Sequence, residues 1–174
     1  MMKSIILHWT GGTYLPNKVD ARHYHYLIDG SGIVSPGVFD VEDNIPPLKR
    51  GKYAAHAARH NSHAIGVALC AMAGAQPEPF AVGKYPVRQV QVDALVDLCA
   101  ELCRQYDIDV DAVRCHSELP NQAWKWDINW IPGMREPRGD TGERIRGMIR
   151  ERLTPPSTWW QSLIEAILAA FRRT

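Results

Sequence analysis

The run Ser4-Ile5-Ile6-Leu7 ends on His8, and a second apolar run, His63-Ala64-Ile65-Gly66-Val67-Ala68-Leu69-Cys70, follows far downstream. Neither alternates apolar with polar residues, and both are too short for helices of ordinary length. Runs of this kind read as buried core strands. Between and after them lie segments with helical spacing, so the chain is expected to fold as a mixed α/β domain. Its central mixed β-sheet would be flanked by helices.

The remaining elements follow from local chemistry. Gly11-Gly12-Thr13 breaks the first strand, and Asn17–Arg22 reads as a short helix. Tyr24-His25-Tyr26-Leu27-Ile28 and Ile33–Val34 form a hairpin about the turn Asp29-Gly30-Ser31-Gly32. Val38–Lys52 reads as a loop, because Pro46-Pro47 excludes regular structure, and Ala73–Gly83 as another. Pro86–Tyr106 is the clearest helix: proline suits a first turn, and Val92, Leu95, Val96, Cys99, Leu102 and Tyr106 recur at helical spacing. Val113–His116 reads as a short strand and Asn121–Arg138, rich in Trp and Pro, as irregular. Asp140-Thr141-Gly142-Glu143 has the pattern of a capping box opening a helix to about Leu153.

Pro155-Pro156 then separates a last segment in which Trp160, Leu163, Ile164, Ile167, Leu168 and Phe171 form an apolar stripe closed by Arg172-Arg173. Residues 1–154 are therefore expected to be one domain and residues 155–174 a C-terminal amphipathic helix. Docking on the domain is its expected use, with a partner or a membrane surface as the alternatives.

A chain of 174 residues can bury a full core as one domain. With 22% charged residues and a net charge of +1 it lacks the clustered cation of a nucleic-acid binder. No apolar stretch is long enough for a membrane span. After Met1-Met2-Lys3 no signal-peptide pattern follows, so synthesis in the cytoplasm is expected, and any action outside it needs another export or release route. Cys70, Cys99, Cys103 and Cys115 form no CxxC pair, and Cys99 and Cys103 stand one turn apart within an apolar stripe. These are expected to be ordinary buried thiols.

The chemistry-bearing residues are His8, then Cys115-His116-Ser117-Glu118, then Lys125-Trp126-Asp127. Two histidines and a carboxylate can supply the three protein ligands of a catalytic zinc, which leaves a position for water. Taken singly, a histidine at a strand end is more often structural, and a lysine in a loop is more often solvated.

Six elements in order resemble the zinc-dependent N-acetylmuramoyl-L-alanine amidases of the type 2 family, which includes phage endolysins and peptidoglycan recognition proteins. They are Ile5-Ile6-Leu7-His8; Tyr24 to Ile33; Ala55-His56-Ala57; Asn61 to Val67; Cys115-His116-Ser117-Glu118; and Lys125-Trp126-Asp127. The resemblance spans about residues 4–153 and implies a peptidoglycan recognition protein-like amidase fold. It makes His8, His116 and Asp127 the Zn2+ ligands and Lys125 a catalytic group. Tyr24 matches a second catalytic group of the endolysin branch, while the position where other members carry glutamate is Ala68. His56 matches a family histidine near the groove, which touches substrate or orients a neighbour; Asn61 and Trp126 are candidate substrate contacts, although a turn role for Asn61 and core packing for the tryptophans Trp124, Trp126 and Trp130 also fit. The chain departs from the family in its short connection from His8 to Tyr24, where a longer helix is common.

The expectation is thus a monomeric zinc amidase that cleaves the bond between N-acetylmuramic acid and L-alanine, in peptidoglycan or a muropeptide. The alternatives are a zinc-free peptidoglycan-binding module and a cytoplasmic muropeptide-recycling amidase.

Overall fold

Five strands form one sheet in the order β3-β2-β4-β1-β7. In chain order these are β1 (Ser4–Trp9), β2 (Tyr26–Ile28), β3 (Val34–Pro36), β4 (Ala64–Leu69) and β7 (Val113–Cys115). The two short strands β5 (Gln76–Pro77) and β6 (Phe80–Ala81) pair separately. The helices are α1 (Asp20–His23), α2 (Gln89–Tyr106) and α3 (Thr141–Leu153). The computed structural model describes residues 1–122, 125–137 and 139–154, and the single positions 163, 164 and 168. Among these residues no helix is long and apolar enough to cross a membrane.

The sheet is mixed: β1 runs parallel to both β4 and β7, β2 is parallel to β4, and β3 returns antiparallel to β2. Parallel neighbours bury the central strands on both faces, which is why β1 and β4 read as unbroken apolar runs. The two faces nevertheless differ in content. Ile5, Leu7 and Trp9 of β1 and Ile65, Val67 and Leu69 of β4 enter the main core with Val92, Leu95, Val96 and Cys99 of α2 and Ile145 and Ile149 of α3. The alternate positions, Ile6, His8, Ala64, Gly66 and Ala68, face the other way, since side chains on a strand point to opposite faces in turn. Small residues on that second face of β4 leave space above it.

Several boundaries move for physical reasons. Helix α2 begins at Gln89 rather than Pro86. The Gln91 side chain accepts from the Arg88 backbone N–H, while its amide donates to the carbonyls of Ile28 and Cys70, so the start is pinned to the sheet. Asp140 precedes α3 but makes no capping bond; its carboxylate pairs with Arg144, and Glu143 pairs with Arg146 and Arg150. The stretch read as a loop over Ala73–Gly83 contains the β5–β6 pair, and Val38–Lys52 contains a 3-10 turn at Val41–Asn44. All four cysteines are free and buried. Of the expected C-terminal helix, Leu163, Ile164 and Leu168 are helical and exposed. Trp124 and the rest of that helix lie outside the described residues.

Candidate metal centre

Strand register places the two histidines side by side. Leu7 of β1 pairs with Cys115 of β7 in parallel, so the next residues along, His8 and His116, emerge together at the carboxyl ends of neighbouring strands. Both turn away from the main core, into which Leu7 and Cys115 point. Their rings lie 4.6 Å apart, edge to face. In open α/β sheets this strand end is the usual place for a ligand site.

Asp127 completes the group from the irregular segment after His116. Its Oδ2 lies 3.0 Å from His116 Nδ1 and 3.3 Å from His8 Nδ1, and the three ligand atoms all lie within 4.8 Å of one another. Several bonds hold this segment in place. Ser117 Oγ donates to Asn129 Oδ1, Thr141 Oγ1 donates to the Asn129 carbonyl, and Cys115 Sγ donates to the Ile128 carbonyl. Ile128 is wholly buried and adopts a φ of 60°, a left-handed conformation unfavourable for a β-branched side chain. Its side chain in the core holds the turn that aims Asp127.

The donor set fits a zinc ion. Ligand atoms about 2.0 Å from a tetrahedral zinc stand about 3.3 Å apart, and Asp127 Oδ2 stands 3.0 and 3.3 Å from the two imidazoles. Burial raises the carboxyl of Asp127, but the two neighbouring imidazoles, His116 first, outweigh this and hold it well below the ordinary carboxylate range. His8 is completely buried; that burial, opposed in part by Asp127, lowers its pKa to about 4. A neutral ring and an ionised carboxylate are the forms a metal ligand requires.

Tyr24 and Lys125 also reach this centre. Tyr24 is not in a strand: it terminates α1 in an extended conformation just ahead of β2. Its ring lies 5.0 Å from that of His8. Burial above all, then the charge of Asp127, pushes its phenol far above the usual range, so it stays protonated. Lys125 sits in the turn that follows Gln122, close enough to His8 for its charge to disfavour a proton there.

The three expected substrate contacts fare differently. His56 is only 7% exposed and lies behind His8, with Nδ1 3.2 Å from His8 Nε2 and Nε2 3.4 Å from the Ala64 carbonyl. Asn61 is buried too, and its Oδ1 accepts from the Ala57 N–H, closing the turn that carries His56. His56 thus bonds protein through both ring nitrogens, and Asn61 through its side-chain oxygen. Trp126 is half-buried and packs edge-on against Trp9; Trp130 is buried, its indole N–H donating to the Met134 carbonyl.

The ring of His25 is fully engaged by protein. The Gly66 N–H donates to Nδ1 and the ring meets Asn44 Oδ1 through Nε2. His23, His60 and His63 each bond a backbone carbonyl instead, those of Ala55, Pro120 and Met1. Two residues with no role assigned from sequence support the centre. Glu118 accepts two bonds from Arg146 and one from the Cys115 N–H, and Arg146 also donates to the Val113 carbonyl. The pair ties α3 to β7 beside His116. Its only sequence signal is the Glu118 that closes the Cys-His-Ser-Glu stretch.

The sequence profile of the family described as N-acetylmuramoyl-L-alanine amidase matches residues 1–133. No curated protein sequence matches the chain. Among solved structures, the N-acetylmuramoyl-L-alanine amidase LysC from Clostridium intestinale URNW is similar at 19% identity and a TM-score of 0.54, over 86% of this chain and 85% of that one. The endolysin amidase LysCS from the same organism is similar at 18% identity and a TM-score of 0.54, over 86% and 84%. At these identities the two structures establish the shared fold.

Proposed function

The chain belongs to the N-acetylmuramoyl-L-alanine amidase family, enzymes that hydrolyse an amide of peptidoglycan, and on that premise we propose that it does so with Zn2+ held by His8, His116 and Asp127. The observation that carries this reading is the convergence of these three side chains, with Tyr24 and Lys125, on one end of the parallel strands. When bound, the ion supplies Lewis acidity, activating water and polarising the carbonyl.

The chain's own residues account for the rest of the reaction. Water adds to the carbonyl carbon, the carbon–nitrogen bond breaks, and the amine of L-alanine leaves with a proton. Negative charge develops on the carbonyl oxygen, and donors already aimed at it stabilise the transition state. Tyr24, which burial keeps protonated, donates its O–H to that oxygen. Lys125 adds a positive charge, and as the cation of the pair it delivers a proton to the departing amine, the proton given up by the added water restoring it.

A lysin acting on the wall after release is the extension proposed here, suggested by the fold shared with the Clostridium intestinale endolysin. The test is metal content together with release of new amino termini from purified sacculi and from soluble muropeptides. Stoichiometric zinc with chelator-sensitive release from sacculi supports the proposal. Cleavage of muropeptides alone assigns a recycling amidase, and binding without release, unchanged by chelator, refutes catalysis.

A further inference from the structure

A histidine can hold a metal at Nδ1 only if its proton is elsewhere, and the residues behind His8 determine where that proton sits. The Ala64 carbonyl oxygen is an acceptor only. It faces His56 Nε2 at 3.4 Å, so that nitrogen carries the hydrogen. A neutral imidazole has a single N–H, which leaves Nδ1 of His56 as an acceptor. A charged His56 would be buried between His8 and His25 with no carboxylate bonded to it, an arrangement that burial penalises heavily. Nδ1 of His56 lies 3.2 Å from His8 Nε2, so the proton of His8 is on Nε2. The lone pair of His8 Nδ1 is then directed at Asp127 Oδ2, 3.3 Å away.

We infer that His56 is a positioning residue: together with the Ala64 carbonyl it holds His8 in the tautomer whose Nδ1 is bare, and so readies the site for a cation. Two acceptors, His8 Nδ1 and the Asp127 carboxylate, then face each other with no hydrogen of their own between them, which a bound cation resolves. The ring is held closely on two sides. A Cβ on Gly66 would stand 2.5 Å from His56 Cγ, so the ring lies against bare backbone. The ring of His25 closes the next side at 5.6 Å. The turn that carries His56 is fastened at both ends: Asn61 accepts from Ala57, and the Asn44 amide donates to the carbonyls of Ala54 and Asn61. A partner on the second nitrogen of a metal-bound histidine orients the ring and raises its basicity.

This inference rests on the proposed metal site, and its tests separate the two. The first reads the tautomer of His8 by 15N NMR in the metal-free wild type: hydrogen on Nε2 with Nδ1 bare supports the inference, and hydrogen on Nδ1 overturns it, whether or not zinc binds. The second reads zinc affinity by chelator competition. His56→Phe keeps an aromatic ring without an acceptor and is expected to weaken zinc about 10–100-fold. Gly66→Ala, which displaces the same ring, is expected to act in the same direction. His56→Asn, whose side-chain carbonyl can accept from His8 Nε2, is expected to recover most of the loss, which a purely space-filling role would not produce. Folded His56→Phe with wild-type zinc affinity overturns the inference. Should that variant fail to fold, the wild-type NMR result decides alone. Absence of zinc uptake by the wild type would sink the proposed function while leaving the tautomer result to stand.

Discussion

The two imidazoles of the site are held by opposite means. His8 lies within a central strand, and its side chain is backed by an unbroken line of groups, His56 and then the Ala64 carbonyl. His116 begins a 3-10 turn, and its Nε2 is buried with no hydrogen-bond partner among the described residues. What is fastened around His116 is the backbone, through Glu118, Arg146, Ser117 and Asn129. One ligand is thus positioned through its side chain and the other through the chain that carries it. Half of the site depends on neutral, buried hydrogen bonds, and the other half on charged pairs nearer the surface.

The largest effect is expected from removing what both halves share. Asp127→Ala should abolish zinc retention and lower amide hydrolysis far more than about a hundredfold, beyond the loss that follows from a supporting residue. Metal analysis and amino-terminal release measure both, and full zinc with full activity would remove Asp127 from the ligand set.

Acid should distinguish the halves next. Burial outweighs the Asn44 bond and lowers His25 to about 4, against 6.5 for an unperturbed histidine. The unfolded chain therefore takes up the proton first, so stability rises with pH between about 4 and 6.5 and is lost as pH falls through that window. The gap corresponds to about 3 kcal/mol. A His25→Gln variant should lose about one proton from the slope of unfolding free energy against pH there. An unchanged slope in urea titrations would show that the imidazole side is not the acid-sensitive half.

Lys125→Ala should leave zinc bound and reduce kcat about a hundredfold, the scale of losing one stabilising group for the oxyanion. Loss of metal in that variant would instead make Lys125 part of the framework.

The smallest effect probes the clamp around His116. Gly142 and Gly147 both lie in α3, where alanine ordinarily stabilises by about 0.5–1 kcal/mol. A Cβ at Gly147 meets nothing among the described residues, so Gly147→Ala should follow that rule. At Gly142 it would overlap the Glu118 carboxylate, which Arg146 and the Cys115 N–H hold in place. Gly142→Ala should therefore destabilise by about 1–2 kcal/mol, the cost of overpacking. Thermal unfolding compares the two, and equal stabilisation would mean that Glu118 is free to move.

Much of this frame was legible beforehand. β1, β4, the β2–β3 hairpin and α2 follow from apolar runs, a glycine turn and helical spacing, because those patterns record burial and period directly. The six ordered elements pointed to the family and to His8, His116 and Asp127. The start of α2 was misjudged because the Gln91 side chain, reaching the Ile28 and Cys70 carbonyls, sets it from across the fold. The same limit applies to Asp140, whose partner is Arg144 rather than the helix N-terminus.

By itself the sequence determined where the main strands and helices lie and that the chain carries the ordered motifs of the amidase family. What the histidines other than His8 and His116 do was decided only in three dimensions. His25, His56 and His60 look alike in sequence, yet one ring is bonded to Gly66 and Asn44, one backs His8, and one meets the Pro120 carbonyl. The pairing of Leu7 with Cys115 sets His8 beside His116, and the buried, left-handed Ile128 aims Asp127 at both. Local patterns encode burial and period; the direction of a side chain across more than a hundred residues depends on register and packing, which only the assembled fold supplies.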